Sequence, residues 1–132
     1  MTNLEVDELF DKANQLEELG DLEAALVIRK QLVTRLPDDK VLSITLAKAL
    51  EDLNDLIGAE MYYKKTVKLA PKWELASLQL FHFLFDNYGG RWKKDRLDEA
   101  FDEMRRFQSI SHCEDYVEIV REINEKYGTN EK

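Results

Sequence analysis

The strongest constraint on this 132-residue chain is an internal repeat of 34 residues. Aligned at that offset, residues 6–37 and 40–71 share ten identities in 32 pairs. Ordinary composition gives roughly two or three by chance. Ala13 and Ala47, Leu16 and Leu50, Glu17 and Glu51, Ala25 and Ala59, and Pro37 and Pro71 are among the matched positions. A third copy follows with one change: Leu84 lies 34 residues after Leu50, but Ala100 lies 41 after Ala59. Seven extra residues therefore fall between those landmarks, in the loop-like stretch YGGRWKK at 88–94. A period of this length means stacked supersecondary units, none of which buries its apolar face alone.

Each unit reads as two helices. Leu9, Ala13 and Leu16, and Leu46, Leu50 and Leu53, have the spacing of an apolar helical stripe. Thr2 with Glu5 forms a capping box, and Gly20-Asp21 ends the first helix and caps a second over 22–36. Asp38 or Asp39 caps the third helix, and Asn54-Asp55 separates it from the fourth. Helices near 73–87 and 96–109 follow, and Ser111 with Glu114 makes a second capping box for a seventh that ends near Gly128. The expected fold is all-α. Three stacked helical hairpins, at about 4–37, 38–71 and 72–110, form an α–α superhelix with a capping helix at 111–128, in a single domain spanning 1–132.

Charge narrows the function. Twenty-seven acids against nineteen bases give a net charge of −8, the reverse of the basic face a nucleic-acid binder presents. A cationic protein partner suits that balance better. One cysteine, Cys113, makes neither an internal disulfide nor a multi-cysteine zinc site. The opening MTNLEVDELF lacks the parts of a signal peptide, and no apolar run approaches the ~20 residues of a membrane span. A reduced, cytoplasmic protein with no direct contact to nucleic acid or membrane is expected.

No enzyme motif is present: neither HExxH, GxSxG, a P-loop nor GxGxxG occurs. The two histidines, His82 and His112, make a poor metal site, and neighbours such as His112 and Cys113 do not face each other on a helix. No catalysis and no cofactor are expected.

The 34-residue helix–turn–helix period resembles the tetratricopeptide repeat (TPR), whose pattern places W-x2-L-G-x2-Y before A-x3-F and then P. The second unit carries Leu46-Ala47, Leu50, Ala59-x3-Tyr63 and Pro71. The first keeps Ala13, Leu16, Ala25 and Pro37, with Lys12 and Arg29 where apolar residues are usual. The third keeps Leu80, Leu84 and Ala100, with Phe81 at the small-residue position and Met104 for the aromatic. Within that family, SLQLFHFLF, DEAFDEMRRFQSIS and DYVEIVREIN are similar to the C-terminal half of short bacterial repeat proteins that act as immunity proteins beside polymorphic or contact-dependent toxins.

The resemblance implies that the first helix of each hairpin lines a concave partner-binding face. Its positions fall on Asp7, Phe10, Asn14, Glu17 and Glu18, then Val41, Ile44, Lys48, Glu51 and Asp52, then Leu75, Leu78, His82, Phe85 and Asp86. Arg91 and Trp92 in the insertion join them, because insertions in repeat arrays tend to sit on a functional face and this residue pair is enriched in hot spots. Acidic pairs recurring in two stacked units repel each other, which hints at a counter-charge. A carboxylate clamp for acidic chain ends needs Lys, Asn and Arg at set positions, and Phe10, Val41 and Thr45 stand at three of them. The implied function is a protein-binding module, an immunity protein that neutralises a basic, nuclease-like toxin domain, as a monomer or weak homodimer. The alternative is a TPR adaptor or co-chaperone that captures an extended peptide.

Overall fold

The turns of this protein are built twice from the same parts. A computed structural model describes residues 2–87 and 94–127. The first helix, α1 (Asn3–Glu18), opens on Thr2, whose side chain accepts the Glu5 amide while the Glu5 carboxylate returns to the Thr2 amide. It closes at Gly20, where φ is +85° and an ordinary side chain would be strained. The Gly20 amide donates to the Glu17 carbonyl and the Asp21 amide to that of Leu16, a Schellman closure. Asp21 then caps α2 (Leu22–Arg35) by accepting the Ala24 amide.

The same device recurs 34 residues on. α3 (Lys40–Asp52) closes through Asn54 at φ 63°, with its amide on Glu51 and that of Asp55 on Leu50. Asp55 caps α4 (Leu56–Leu69) through the Gly58 amide. The links between hairpins also match. Leu36 and Ala70 precede Pro37 and Pro71, which push them out of helical geometry and end α2 and α4. Of the two candidate caps for α3, Asp39 serves, accepting the Val41 and Leu42 amides at 2.9 and 3.1 Å.

Three further helices follow: α5 (Glu74–Asn87), α6 (Lys94–Gln108) and α7 (Glu114–Tyr127). The last starts later than a Ser111–Glu114 capping box would place it. Glu114 is engaged instead by His112 at 2.7 Å, and the Gln108 side chain takes the Cys113 amide at 3.0 Å. The Ser111 amide remains tied to the Phe107 carbonyl behind it. The expected insertion at 88–94 falls almost wholly outside the described residues, as does Gly128.

The chain divides into two compact units at the second proline turn, residues 1–70 and 71–132. In the first, α1 packs on α2, α2 on α3, and α3 on α4. Ala13, Ala25, Ala47 and Ala59, the small residues of the repeat, are fully buried. Leu32, Leu46 and Leu50 fill the space between helices, and Thr66 donates to the buried Ser43 hydroxyl at 3.1 Å.

In the second unit α5 packs on α6, and Phe81 lies edge-on to Phe101 and to Tyr116 of α7. Leu80, Phe81, Phe83 and Leu84 are all buried. A polar network crosses this apolar core. Buried Ser77 donates to Glu103 at 2.6 Å, which leaves the Tyr116 hydroxyl to donate to Ser77 at 2.7 Å. Arg106 grips both Glu103 oxygens and reaches the Pro71 carbonyl at 3.0 Å. One carboxylate thus ties three helices to the proline turn. Glu103→Ala should lower stability by about 2–3 kcal/mol, because Ser77 and Arg106 lose their acceptor together. A urea titration checks this, with a lower midpoint and an unchanged slope expected.

Candidate partner-binding face

The candidate face of the first unit runs along α1 and α3, and its floor is set by a side chain from behind. Arg29, on α2, is only 2% exposed. Its Nη2 donates to Asn14 at 2.6 Å and to Glu17 at 2.8 Å, its Nε donates to Glu17 at 3.2 Å, and its guanidinium lies 4.9 Å from the centre of the Phe10 ring. Phe10, Asn14 and Glu17 are therefore held in fixed positions by one buried cation. The same node recurs in the next hairpin with different chemistry. Tyr63 stands 34 residues after Arg29, and its hydroxyl donates to Glu51, 34 residues after Glu17, at 2.7 Å. Burial, with the Glu51 carboxylate beside it, pushes the Tyr63 hydroxyl far above the usual tyrosine range.

Lys48 adds a second cation to this face. It pairs with Asp52 at 3.0 Å, and Asp52, then Glu51 and Glu17, hold its ammonium above the usual range against partial desolvation. The self-repulsion expected of the acidic pairs is therefore reduced within the chain by the charges of Arg29 and Lys48, while Tyr63 hydrogen-bonds Glu51 and leaves its charge in place. Glu18 and Asp52 stay exposed, whereas Ile44 is buried. The structure thus gathers Phe10, Asn14, Glu17, Lys48, Glu51 and Asp52 on one face of this unit.

At the N-terminal end of that face is a pocket of about 200 Å³ lined by Val6, Asp7, Phe10, Asp39, Val41 and Leu42. Val6 and Leu42 are not among the groove positions inferred from the sequence, and Asp39 is named there only as a candidate cap of α3. Arg29 was also missed, although the 12-residue spacing shared by Glu17–Arg29 and Glu51–Tyr63 marks both nodes.

In the second unit Leu78 is half-buried, while His82 and Asp86 are exposed. Phe85 is half-buried, stacked on Phe81 at 5.7 Å and edge-on to Phe101 at 6.5 Å. Much of that ring's surface is therefore engaged in packing. Arg91 and Trp92 lie outside the described residues. Cys113 is fully buried, and burial, with a hydrogen bond to Glu74, pushes its thiol up to about 11. Among the described residues no group of His, Cys, Asp and Glu could hold a metal ion, and no helix is long and apolar enough to cross a membrane.

No protein-family model matches the chain, and no curated protein sequence matches it. Solved structures do. A chain of a CopN–Scc3 complex superposes with a TM-score of 0.74 at 14% identity, over 96% of this chain and 71% of that one. The first TPR of Spaghetti (RPAP3), bound to the HSP90 peptide SRMEEVD, superposes with a TM-score of 0.69 at 16% identity, over 98% of each. The fold is an all-α helical repeat of the TPR kind. At such identities the likeness extends to fold and no further.

Three outcomes test this geometry. Arg29→Ala strips a carboxylate of its buried partner and should cost about 3 kcal/mol. Arg29→Tyr reproduces the Tyr63–Glu51 pair and should recover most of that loss in thermal unfolding. Cys113 should resist a disulfide reagent at neutral pH in the native state and react at the rate of a free thiol in denaturant.

Proposed function

We propose that this chain is a protein-binding module for a basic partner and, more narrowly, an immunity protein that binds and neutralises a cationic toxin domain. One observation carries the electrostatic part. Within the first unit, α1 and α3 hold eight acids against three bases, whereas α2 and α4 hold two acids against six bases. The helices that supply the candidate face are therefore its acidic side, with Phe10 and Val41 as apolar contact points.

The RPAP3 repeat is solved with a peptide carrying three carboxylate side chains and one arginine. Such a peptide would meet like charge on this face, which favours a basic partner here. Nuclease-type toxins have cationic substrate sites that an acidic face complements, and the likeness of the C-terminal segments to immunity proteins supports the narrower reading. In it the chain acts in the cytoplasm, by occlusion and without catalysis of its own. A peptide-capturing adaptor is the second reading, favoured by the peptide held in the RPAP3 structure.

Affinity capture from the source organism at low and high salt, followed by mass spectrometry, tests both. One basic domain held in equal proportion, with its toxicity abolished, is the expected outcome. Many weakly held proteins lost with salt would favour the adaptor. Asp7→Asn with Asp52→Asn should weaken the captured partner about tenfold at low salt and less at high salt. An unchanged affinity would remove this face from the interface.

A further inference from the structure

We infer that the pocket between α1 and α3 receives one long cationic side chain, lysine or arginine, from the partner; this rests on the protein-binding function proposed above. Its volume of about 200 Å³ is below the ~300–1,000 Å³ of typical small-molecule sites. That excludes a sizeable cofactor and leaves room for a single inserted group. The wall and floor are Val6, Phe10, Val41 and Leu42, and the two polar groups are carboxylates, Asp7 and Asp39. Leu42 is buried, Val6 and Phe10 are half-buried, and Val41 is 41% exposed, so the apolar part is a lined recess with one open edge.

This chemistry is amphipathic in one particular sense. Lysine and arginine lay apolar stems along hydrocarbon and keep a cation at the tip. An apolar side chain would leave the carboxylates unused, and an acidic one would be repelled by both. At the N-terminus of α3, which could otherwise attract an anion, three backbone donors are already used. The Val41 and Leu42 amides are taken by Asp39 Oδ1, and the Ser43 amide by the Asp39 carbonyl. Among the described residues Asp7 has neither a hydrogen bond nor an ion pair of its own, so its charge remains available to an incoming cation.

The pocket is also positioned for anchoring. Phe10 forms part of its wall and simultaneously lies against the Arg29 guanidinium. The ring is thereby fixed from behind by a residue that is itself locked to Asn14 and Glu17. A recess with one rigid aromatic wall loses little conformational freedom on binding.

The test needs no knowledge of the partner. The isotope-labelled full chain is titrated with N-acetyl-arginine amide and followed by amide chemical shifts, with the neutral isostere N-acetyl-citrulline amide as control. Saturable shifts at Asp7, Phe10, Val41 and Leu42 are expected with the arginine probe alone. Asp7→Asn should weaken them about threefold, as one exposed charge pair allows. Asp39→Asn, which preserves the helix cap, should act in the same direction. No shift, equal shifts with citrulline, or indifference to both substitutions would overturn the inference. In those cases a partner still captured by the chain would leave the protein-binding reading standing. Failure to capture any partner, with the probe still bound, would reject that reading and not this pocket.

Discussion

How closely the paired helices can approach governs everything in the first unit. Four alanines, Ala13, Ala25, Ala47 and Ala59, have no exposed surface, and each stands where two helices touch. A larger side chain at any of them would spread the pair and displace the leucines packed around it, at a cost of about 1–3 kcal/mol. Because the helices are close, a side chain on α2 can reach through to α1, and one on α4 to α3. The polar nodes exist only because the apolar contacts come first.

Those nodes show how one position in a repeat can change chemistry without changing geometry. Glu17 and Glu51 occupy equivalent places, and each accepts a hydrogen bond from the residue twelve positions later. The donor is a buried guanidinium in one hairpin and a buried phenol in the next. Arg29 brings a charge that Glu17 neutralises, whereas Tyr63 leaves the Glu51 charge intact but hydrogen-bonded. In the third hairpin the same positions carry Phe85 and Met104, so that unit has no such node. Its polar ties run instead through Ser77, Glu103, Arg106 and Tyr116, which join three helices around one carboxylate.

Much of the fold was legible in advance, and the reason is local. Caps and breakers act within four residues of their own position, so Thr2 with Glu5, Gly20-Asp21, Asn54-Asp55 and the two prolines announced the helix ends. The start of α7 was less legible because Ser111 and Glu114 had competitors that sequence spacing does not reveal: Glu114 is engaged by His112, and Gln108 satisfies the Cys113 amide. Which residues of the first unit share the candidate face was legible from spacing, and their pairing was not. Spacing gathered Phe10, Asn14, Glu17, Lys48, Glu51 and Asp52 on α1 and α3, but it could not show that Glu17, Lys48, Glu51 and Asp52 all have partners within the chain.

The sequence by itself determined the period, the helix boundaries up to α4 and the choice of α over β, because these follow from neighbours along the chain and from which residues recur every 34. Tertiary structure alone decided which of the acids are free. Glu17 became the partner of a buried arginine because α2 passes behind α1 at that point. Asp7 and Asp39, 32 positions apart, became two sides of one pocket because the turn at Pro37 brings the start of α3 beside α1. Electrostatic character depends on distance through space, and that distance is set by packing.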